Sequence, residues 1–553
     1  MVNSSLLSIG CTASLLVTAA FAGPVAPPGL EPQELPRAQG PSGSRHVVQL
    51  PTNVATGPRY PDFNHDGSLV FAGLPNIGGR SEIYQAMEDG SQFKCLSCGL
   101  SPAVTANLSK PFAFKDGSNR FLVRVGTQAR DQGTDSAVLE YNPTHPEQSL
   151  LVNITVPTIP GIQVIQAQRE IRIAPDGQMT GWTSVILDSN YIAHYVNIVG
   201  TLRRVNNVSK SGQPGYTVDD PRVVSTDTEL KHFSAGGKKL IVATFNGVYE
   251  QGNADGVEID LSNGNKARVT TNIDYDEDIS DSPNGQWLNV GSSRTLQFTT
   301  GLTQIKRPTY VPAYVVGPMF TSQRSTCNQQ WAISRADELA GEEGIQMWVS
   351  GDGYTSLPVG NWKDDGSAIV FWESQTGLDG PGLSRIVVYH LPNDGNIGRF
   401  PKDVATPKPT WAPTLAEFQA PGIDDILPSP GIYNGRISGT VIITDQTGSK
   451  SGSRLRTVTY NKFQFVQGQF IDGTETSAFD NTLANISYSG SLTVTDSNGQ
   501  NIGSLSASNV SIIQQTTMYG SISSVLHGEI ISMASSGAAF TFSSSPITPV
   551  NPF

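Results

Sequence analysis

The chain has 553 residues with a formal net charge of −12, and 15% of its residues are charged. This acidic balance argues against nucleic acid or an anionic membrane surface as the main partner, because both attract basic surfaces. A neutral or amphiphilic partner suits the composition better, and the abundance of Gly, Ser, Thr and Asn is typical of extracellular all-β proteins.

The first 22 residues predict a secretory signal peptide. They hold no Lys or Arg, but an apolar run ends in a small-x-small pattern that predicts cleavage after Ala22. No later stretch is apolar for long enough to span a bilayer, and the C-terminus lacks the apolar tail of a lipid-anchor signal. We therefore expect a secreted, extracellular protein whose residues 23–43, rich in Pro and Gly, form a flexible leader.

Five Asn-x-Ser/Thr motifs agree with secretion, because these motifs accept N-linked glycans. In a chain rich in Ser and Asn, some of them are expected by chance. The motifs lie at Asn107, Asn153, Asn207, Asn485 and Asn509.

The predicted mature chain keeps three of the four cysteines. In an oxidising compartment, a Cys-x-x-Cys pair at a strand end favours a small disulfide loop between Cys95 and Cys98, which leaves Cys327 alone. A zinc site or a thioredoxin-type redox pair is the alternative. The first needs more ligands and the second a helical setting, and the sequence indicates neither.

A hairpin pattern recurs six times in the middle of the chain. Each copy has a two-residue polar turn that ends in Gly, followed by an apolar strand. Gly, Asn and Asp accept the positive φ of hairpin turns. The turns are Asp66-Gly67, Asp116-Gly117, Asp176-Gly177, Gly236-Gly237, Asn284-Gly285 and Asp365-Gly366.

This repeat predicts a β-propeller. A second hairpin follows most copies, so each unit holds four antiparallel strands at a period of roughly fifty to sixty residues, which is typical of a propeller blade. We expect a six-bladed propeller over residues 44–403. The longer interval between Gly285 and Gly366 leaves room for an insertion or for a degenerate seventh blade around Trp331. The strand at residues 46–50 is expected to pair with the last blade and close the ring.

Two further regions follow the propeller. Prolines recur over residues 404–430 and predict a linker or an ordered belt on the surface of the ring. Residues 431–553 alternate short strands with turns, which predicts a separate C-terminal β-sandwich-like domain. This domain has few charged residues, so we expect it to stabilise the protein or to recognise a surface.

The unit from Tyr60 to Phe71, with its later Asp89-Gly90 turn, resembles the repeat of TolB-type propellers. Together with a signal peptide, the run Lys94-Cys95-Leu96-Ser97-Cys98-Gly99 and an extra β domain, it resembles the secreted fungal saponin hydrolases. That resemblance implies a glycosidase that removes the glucuronic-acid-linked sugar chain from a triterpenoid saponin. It implies no particular catalytic residues, because no catalytic motif of that family is evident here.

The residues just ahead of each polar turn are expected to line the central funnel, which is the usual ligand site of a propeller. Hydrolysis of a glycosidic bond needs one protonated and one ionised carboxyl group. Glu170 is predicted to be the ionised group, because Arg169 and Arg172 flank it. Asp278 is predicted to be the proton donor, because its acidic neighbours raise its pKa.

Other funnel residues are predicted to bind the substrate. An Arg or His there would pair with a substrate carboxylate, which favours a uronic acid. Each candidate has a structural alternative, since acids ahead of a strand often cap turns and arginines often join neighbouring blades. The candidates are Arg59, Asp62, Arg169, His232 and Asn361.

The acidic run from Asp274 to Asp281 offers hard oxygen ligands, so a Ca²⁺ site is an alternative there, although its spacing matches no known calcium loop. We expect no other metal and no cofactor. The leading hypothesis is a secreted hydrolase acting on a small glycoside. The alternatives are a non-catalytic binding or scaffold protein and a uronate-polymer lyase that would use the same funnel.

Overall fold

The structure, a computed structural model, describes residues 43–51, 56–74, 79–100, 106–126, 135–188, 193–206, 213–244, 251–294, 299–312, 329–349, 351–357, 359–375, 384–392, 405–421, 427–448, 453–480, 485–513, 517–537 and 540–544. The predicted signal peptide, the leader up to residue 42, Cys327 and the glycosylation motif at Asn207 lie outside the described residues. Among the described residues, no helix has the length and apolar character needed to cross a membrane.

Among the described residues, the first part of the molecule forms six groups of four antiparallel strands, which we call blades one to six. Blade one contains β2 (Thr56–Phe63), β3 (Leu69–Leu74), β4 (Glu82–Ala86) and β5 (Lys94–Cys95). Blade two contains β6 (Asn107–Ala113), β7 (Arg120–Gly126), β8 (Asp135–Glu140) and β9 (Leu150–Thr155). Blade three contains β10 (Gln163–Ile173), β11 (Met179–Leu187), β12 (Ala193–Val205) and β13 (Gly215–Thr226). Blades two and three are joined into one sheet by parallel pairing of β9 with β13.

Blade four contains β14 (Thr228–Phe233), β15 (Lys239–Thr244), β16 (Gly256–Asp260) and β17 (Lys266–Arg268). Blade five contains β18 (Asp276–Asp281), β19 (Trp287–Ser292), β20 (Gln329–Ser334) and β21 (Ile345–Gln346). Blade six contains β22 (Tyr354–Ser356), β23 (Asn361–Trp362), β24 (Ala368–Gln375) and β25 (Ser384–His390), and β1 (Ser44–Val47) joins its sheet. In blade six the innermost strand is split into β22 and β23, which both pair with β24. Short helices are α1 (Thr300–Thr303) and α2 (Arg335–Ala340), and 3-10 turns cover Pro146–Gln148 and Ala235–Gly237.

Apolar side chains between the blades hold the ring together. Each blade shares an apolar cluster with the next one, as where Leu122 of blade two meets Trp182 of blade three. Phe71 of blade one packs in the same cluster as Val388 of blade six, so the ring is closed. A blade buries both faces only by stacking on two neighbours, which explains why the strands after the polar turns are apolar on both sides.

The N-terminal strand closes the ring, as expected. β1 pairs with β25 from blade six, and Arg45 donates to the buried Glu373 carboxylate at 2.6 Å. The first strand therefore completes the last blade, and the two ends of the propeller are held together by backbone hydrogen bonds.

We expect removal of this strand to destabilise the propeller. A chain that starts at residue 51 loses Val48 from the apolar cluster and exposes β25 as an edge, which should lower the free energy of unfolding by about 3–5 kcal/mol. A chain that starts at residue 43 is the control. Equal denaturant midpoints for the two chains would contradict this role of β1.

The long interval in blade five holds an insertion. Trp331 lies in β20 and Met347 follows β21, so both belong to blade five, and the described residues provide no seventh blade. Residues 299–312, between β19 and β20, leave the ring and carry α1.

The described part of the proline-rich region is an ordered belt. Trp411 donates its indole N–H to the Leu261 carbonyl at 2.9 Å, and Thr406 donates its backbone N–H to Asp176 at 2.8 Å. Leu415 is buried among residues of blades two and three. Residues 405–421 therefore run across blades three and four.

The C-terminal region is one nine-stranded antiparallel sheet with strands in sequence order. Its strands are β26 (Gly431–Asn434), β27 (Ser438–Thr447), β28 (Ser453–Gln464), β29 (Phe470–Asp480), β30 (Asn485–Thr495), β31 (Asn501–Ile513), β32 (Thr517–Leu526), β33 (Glu529–Gly537) and β34 (Phe540–Ser544). Buried and exposed residues alternate along β30, so one face is apolar. The sandwich-like expectation needs correction here, because the apolar face is covered by the insertion of blade five instead of a second sheet.

That insertion supplies part of the core of the C-terminal sheet. Leu302, Ile305, Tyr310 and Val311 pack in one cluster with side chains from β27 to β32. At its centre, the buried Arg307 guanidinium pairs with the buried Glu475 carboxylate, with Nε donating to Oε2 at 2.9 Å. The insertion of blade five and the C-terminal sheet therefore share one core, separate from the clusters between the blades.

Candidate functional site

The innermost strands carry bulges where they pass the ring axis. In blades one to five, the register between the innermost strand and the second strand shifts at a bulge. Tyr60, Lys110, Glu170 and Val359 adopt positive φ, at 52°, 45°, 47° and 78°. Each of the four lies seven residues before the Gly of the following turn, and so does Asp278. Bulges redirect side chains and often occur beside binding sites, and the positive φ recurs at this position in blades one, two, three and six.

Two positions further along, the six innermost strands each give one residue to a single ring around the axis. The residue five positions before the turn Gly lines the same cavity in every blade. This ring consists of Asp62, Phe112, Arg172, His232, Ser280 and Asn361. The expectation that the funnel is built just ahead of the polar turns therefore agrees with the geometry.

The ring encloses an axial cavity of about 60 Å³. Besides the ring residues, its wall includes Lys115, Lys231 and Asp278, together with the aromatic side chains of Phe233 and Trp362. The combination of apolar walls with a few charged groups is typical of small-molecule sites.

Both carboxyl groups in the wall of this cavity, Asp62 and Asp278, have raised pKa values. The pKa of Asp278 is raised to about 6, mainly by burial and also by the neighbouring Glu277 and Glu170, whereas Lys231 and Lys110 oppose the shift. Lys231 Nζ lies 3.5 Å from Asp278 and 2.8 Å from both Glu229 and Glu277. Asp278 can therefore gain and lose a proton near neutral pH.

Glu170 lies next to this cavity and forms two ion pairs. Its Oε1 is 3.5 Å from Lys110 Nζ, and its Oε2 accepts a hydrogen bond from Arg172 at 2.7 Å. Burial alone would raise the pKa of Glu170, but these cations and Lys231 bring it well below its usual range. Glu170 is thus ionised and holds Arg172, which lines the axial cavity.

Three of the predicted binding residues line the axial cavity. Asp62 accepts backbone hydrogen bonds from Phe63 and Ala113, both at 2.8 Å, and lies 3.3 Å from Lys115. Asn361 donates to the Pro61 carbonyl at 2.8 Å. Burial lowers the pKa of His232 to about 3, so its ring is neutral at physiological pH.

The other two predicted binding residues lie outside the axial cavity. Arg59 stacks over the Trp372 ring, 5.7 Å from its centroid. Arg169 is paired with the buried Glu229 and lies over the Tyr195 ring. The alternative that arginines join neighbouring blades therefore describes Arg169, which links blade three to blade four.

The acidic run does not converge on a common point. Asp274 accepts hydrogen bonds from Ser293 and Thr299, Asp276 pairs with Arg294 at 3.1 Å, and Asp278 lies by Lys231. The Ca²⁺ alternative is therefore not supported by these contacts. Elsewhere among the described residues, Glu82 approaches the sulfurs of Cys95 and Cys98 closely enough for a metal. Those two sulfurs are joined as a disulfide and are not thiolates.

One predicted glycosylation site is buried. Asn107 accepts a hydrogen bond from the Ser81 backbone N–H at 2.7 Å and is 9% exposed, so a glycan there would disrupt blade two and that expectation is corrected. Asn153, Asn485 and Asn509 are exposed on strands.

Lys115 and Lys231 belong to the site although we did not single them out from the sequence. Lys231 follows the buried Leu230 directly, at the bulge of β14. An alignment of the six repeats on their turn Gly would have pointed to Lys231. It lies six residues before its turn Gly, whereas Asp278 and Glu170 lie seven residues before theirs. Lys115 precedes the Asp116-Gly117 turn and reaches Asp62 of blade one.

The fold and the site therefore define an all-β propeller protein with a charged cavity on its ring axis. No protein-family model matches the sequence, and no curated protein matches it. Solved structures that resemble the fold are TolB from Acinetobacter baumannii (13% identity, 62% of this chain and 65% of that chain, TM-score 0.30), a putative TolB from Agrobacterium tumefaciens (13%, 54% and 94%, 0.31) and an oligogalacturonate lyase in complex with manganese (11%, 64% and 98%, 0.33). Similarities this distant say nothing about the activity of this chain.

Proposed function

We propose that the protein is an extracellular hydrolase that cleaves glycosides of uronic acids in the axial cavity. The observation that carries the proposal is the position of Asp278, a carboxyl group with a pKa of about 6, in a cavity lined by the cations Lys115, Arg172 and Lys231. Cations favour a substrate carboxylate, and a carboxyl group that keeps its proton near neutral pH suits acid catalysis.

In this proposal Asp278 donates its proton to the glycosidic oxygen as the bond to the anomeric carbon breaks. Water adds to that carbon and gives its proton to a second carboxylate. We assign this role to Asp62, because it lines the same cavity and Glu170 does not. Glu170 then acts as a positioning residue for Arg172.

A uronate lyase is the second candidate, and the neutral His232 favours it. A neutral imidazole can accept the proton from C5 of a uronate as the bond from C4 to the leaving oxygen breaks and a C4–C5 double bond forms, and Asp278 gives its proton to the leaving oxygen. The lowered pKa of His232 makes it a weak base for this step. The same cations would neutralise the uronate carboxylate in either reaction.

The products distinguish the two reactions. We would incubate the protein in ¹⁸O-water with a glucuronide-bearing saponin, chosen for the resemblance of the sequence to saponin hydrolases, and with an oligogalacturonate. Hydrolysis is expected to give free aglycone and a sugar that carries ¹⁸O, detected by mass spectrometry. Formation of an unsaturated, unlabelled uronate would support the lyase instead of the hydrolase. If neither substrate gives a product, the protein is a binding protein.

The second carboxylate can be assigned with two variants. Asp62→Asn should lower saponin cleavage by about 10²–10⁴-fold if it receives the proton of water. Glu170→Gln should have a smaller effect that appears mainly in KM, because it loosens Arg172. The reverse order of effects would move the role to Glu170.

A further inference from the structure

A buried histidine lies between two carboxylates at the junction of blades three and four. His194, near the start of β12, is fully buried, and its Nδ1 lies 3.0 Å from Asp227 Oδ1. On the other side of the ring, Nε2 lies 3.6 Å from Asp188 Oδ2, which is an ion-pair distance and not a hydrogen bond. Asp188 directly follows β11, and Asp227 connects β13 to β14. One imidazole therefore joins a hairpin of blade three to the connection into blade four.

The charge of this imidazole decides how many of the two carboxylates it can bind. A neutral imidazole has one N–H and donates to one acceptor, whereas a protonated imidazole has two N–H groups and a positive charge. The side chain of Asp188 is 4% exposed and that of Asp227 is 21% exposed. Two carboxylates on opposite sides of one buried ring repel each other unless a cation lies between them. The protonated form of His194 is therefore the one that satisfies both.

The surroundings of His194 favour this protonated form. Burial alone would lower the pKa of His194, but the hydrogen bond and charge of Asp227, together with Asp188, raise it above the usual 6.5. A pKa that is raised by folding gives stability that is complete below the unfolded pKa and is lost as the pH rises through the folded pKa. The contacts of His194 should thus be strongest under mildly acidic conditions.

Asp227 also fixes the backbone at this junction. It has a positive φ of 57°, which is uncommon for residues other than Gly, and its backbone N–H donates to the Tyr195 carbonyl at 2.7 Å. Two residues later, Glu229 pairs with Arg169, whose guanidinium lies over the Tyr195 ring. The contact of His194 with Asp227 therefore adjoins the ion pair that links blade three to blade four.

We propose that His194, Asp188 and Asp227 form a pH-sensitive clasp, closed when His194 is protonated, whose opening loosens the junction between blades three and four. Loss of the proton removes the cation from between the carboxylates and leaves one hydrogen bond at most. The connection from β13 to β14 is then held less tightly. This inference goes beyond the proposed function and does not depend on it, because it concerns the protein without substrate.

Hydrogen exchange of the full protein without substrate tests the clasp. We would measure protection factors, which correct for the intrinsic dependence of exchange on pH. They should fall about tenfold or more at Asp227 and at the start of β14 between about pH 5 and pH 8, the effect of losing one hydrogen bond to a charged group. Equal protection factors at the two pH values would overturn the proposal.

The protonation of His194 can be followed separately. Exchange of the imidazole C2 hydrogen, read by mass spectrometry, should give His194 a midpoint above 6.5 in the unmodified protein and a lower midpoint in Asp227→Asn. Asn tolerates positive φ, so this variant removes the charge without forcing the backbone. A midpoint at or below 6.5 in the unmodified protein would contradict the clasp.

Two variants and a control assign the pH dependence. His194→Gln and Asp227→Asn should each make protection at the junction nearly independent of pH. His390→Gln, which removes the histidine paired with Glu88 at blade six, should keep the full change. If Asp227→Asn or a folded His194→Gln keeps the full change, the clasp is not its cause. Asp227→Asn decides alone if His194→Gln does not fold.

Discussion

Asp278→Asn should abolish cleavage while making the protein more stable at neutral pH. As the proton donor, Asp278 should contribute about 10²–10⁴-fold to the rate, and Asn cannot donate the proton. Because only the protonated form is active, cleavage by the unmodified protein should fall as the pH rises above the pKa of about 6. Initial rates of aglycone release between pH 4 and 8 would measure this fall in rate, which is the alkaline limb of the pH profile.

The stability effect follows from the direction of the same pKa shift. The pKa of Asp278 is raised from 3.8 in the unfolded chain to about 6 in the fold, so the folded state is penalised once the group must ionise. Stability is therefore lost as the pH rises from about 4 to about 6. Asn removes this penalty, so the variant should gain on the order of 1–3 kcal/mol at pH 7 and nothing at pH 3.

Glu277→Gln is the matched control. Glu277 pairs with Lys231 but lies outside the cavity wall, and its charge helps to raise the pKa of Asp278. This variant should keep most of the activity and shift the alkaline limb to lower pH. A limb that stays in place in Glu277→Gln, or full activity in Asp278→Asn, would exclude Asp278 as the donor.

Arg307→Met should destabilise the protein more than any other substitution considered above, by about 3–5 kcal/mol, because it leaves the Glu475 carboxylate buried without its counter-charge. Tyr460 and Tyr488 donate to that carboxylate, and Arg307 also donates to the Leu302 and Ile305 carbonyls. Denaturant unfolding at neutral pH would measure the loss.

The pH dependence of this effect has a defined sign. Burial alone would raise the pKa of Glu475, but Arg307 lowers it below its usual value. The stabilisation is thus present above the unfolded pKa of Glu475 and is lost as the pH falls through the folded pKa.

Two further variants identify the cause. Arg307→Met combined with Glu475→Leu should recover much of the loss, because no charge then remains buried. Lys462→Met breaks an exposed pair with Asp472 in the same sheet and should change stability by less than about 1 kcal/mol. A similar loss in all three variants would mean that the charge of Glu475 is not the cause.

Much of the fold could be predicted from turn chemistry. The turn glycines such as Gly67 and Gly366 do adopt positive φ, and apolar strands follow them as the sequence indicates. The cover of the C-terminal sheet could not be predicted in this way. Its partner, residues 299–312, lies more than a hundred residues earlier in the chain, and alternation along a strand shows that one face is buried without showing what buries it.

The location of the site could be predicted from the sequence, but the orientation of its carboxylates could not. The sequence places Asp62, His232 and Asn361 ahead of the turns, and the structure gathers them in one ring. The sequence also places Glu170 and Asp278 at the same distance from their turns, yet Asp278 lines the axial cavity whereas Glu170 pairs with Lys110 and Arg172 and does not. A bulge at a residue other than Gly leaves no signal in composition, so the orientation of these carboxylates required the three-dimensional arrangement.

The shared core has a consequence for synthesis. A ribosome makes the insertion of blade five, with Leu302, Ile305 and Tyr310, well before it makes the strands that cover these side chains. Until β27 to β32 have been translated, the nascent chain carries an uncovered apolar segment and the unpaired Arg307. Strands β27 to β32 thus act as the cover for a segment made earlier, and a premature stop codon ahead of them would release a propeller with an exposed apolar segment.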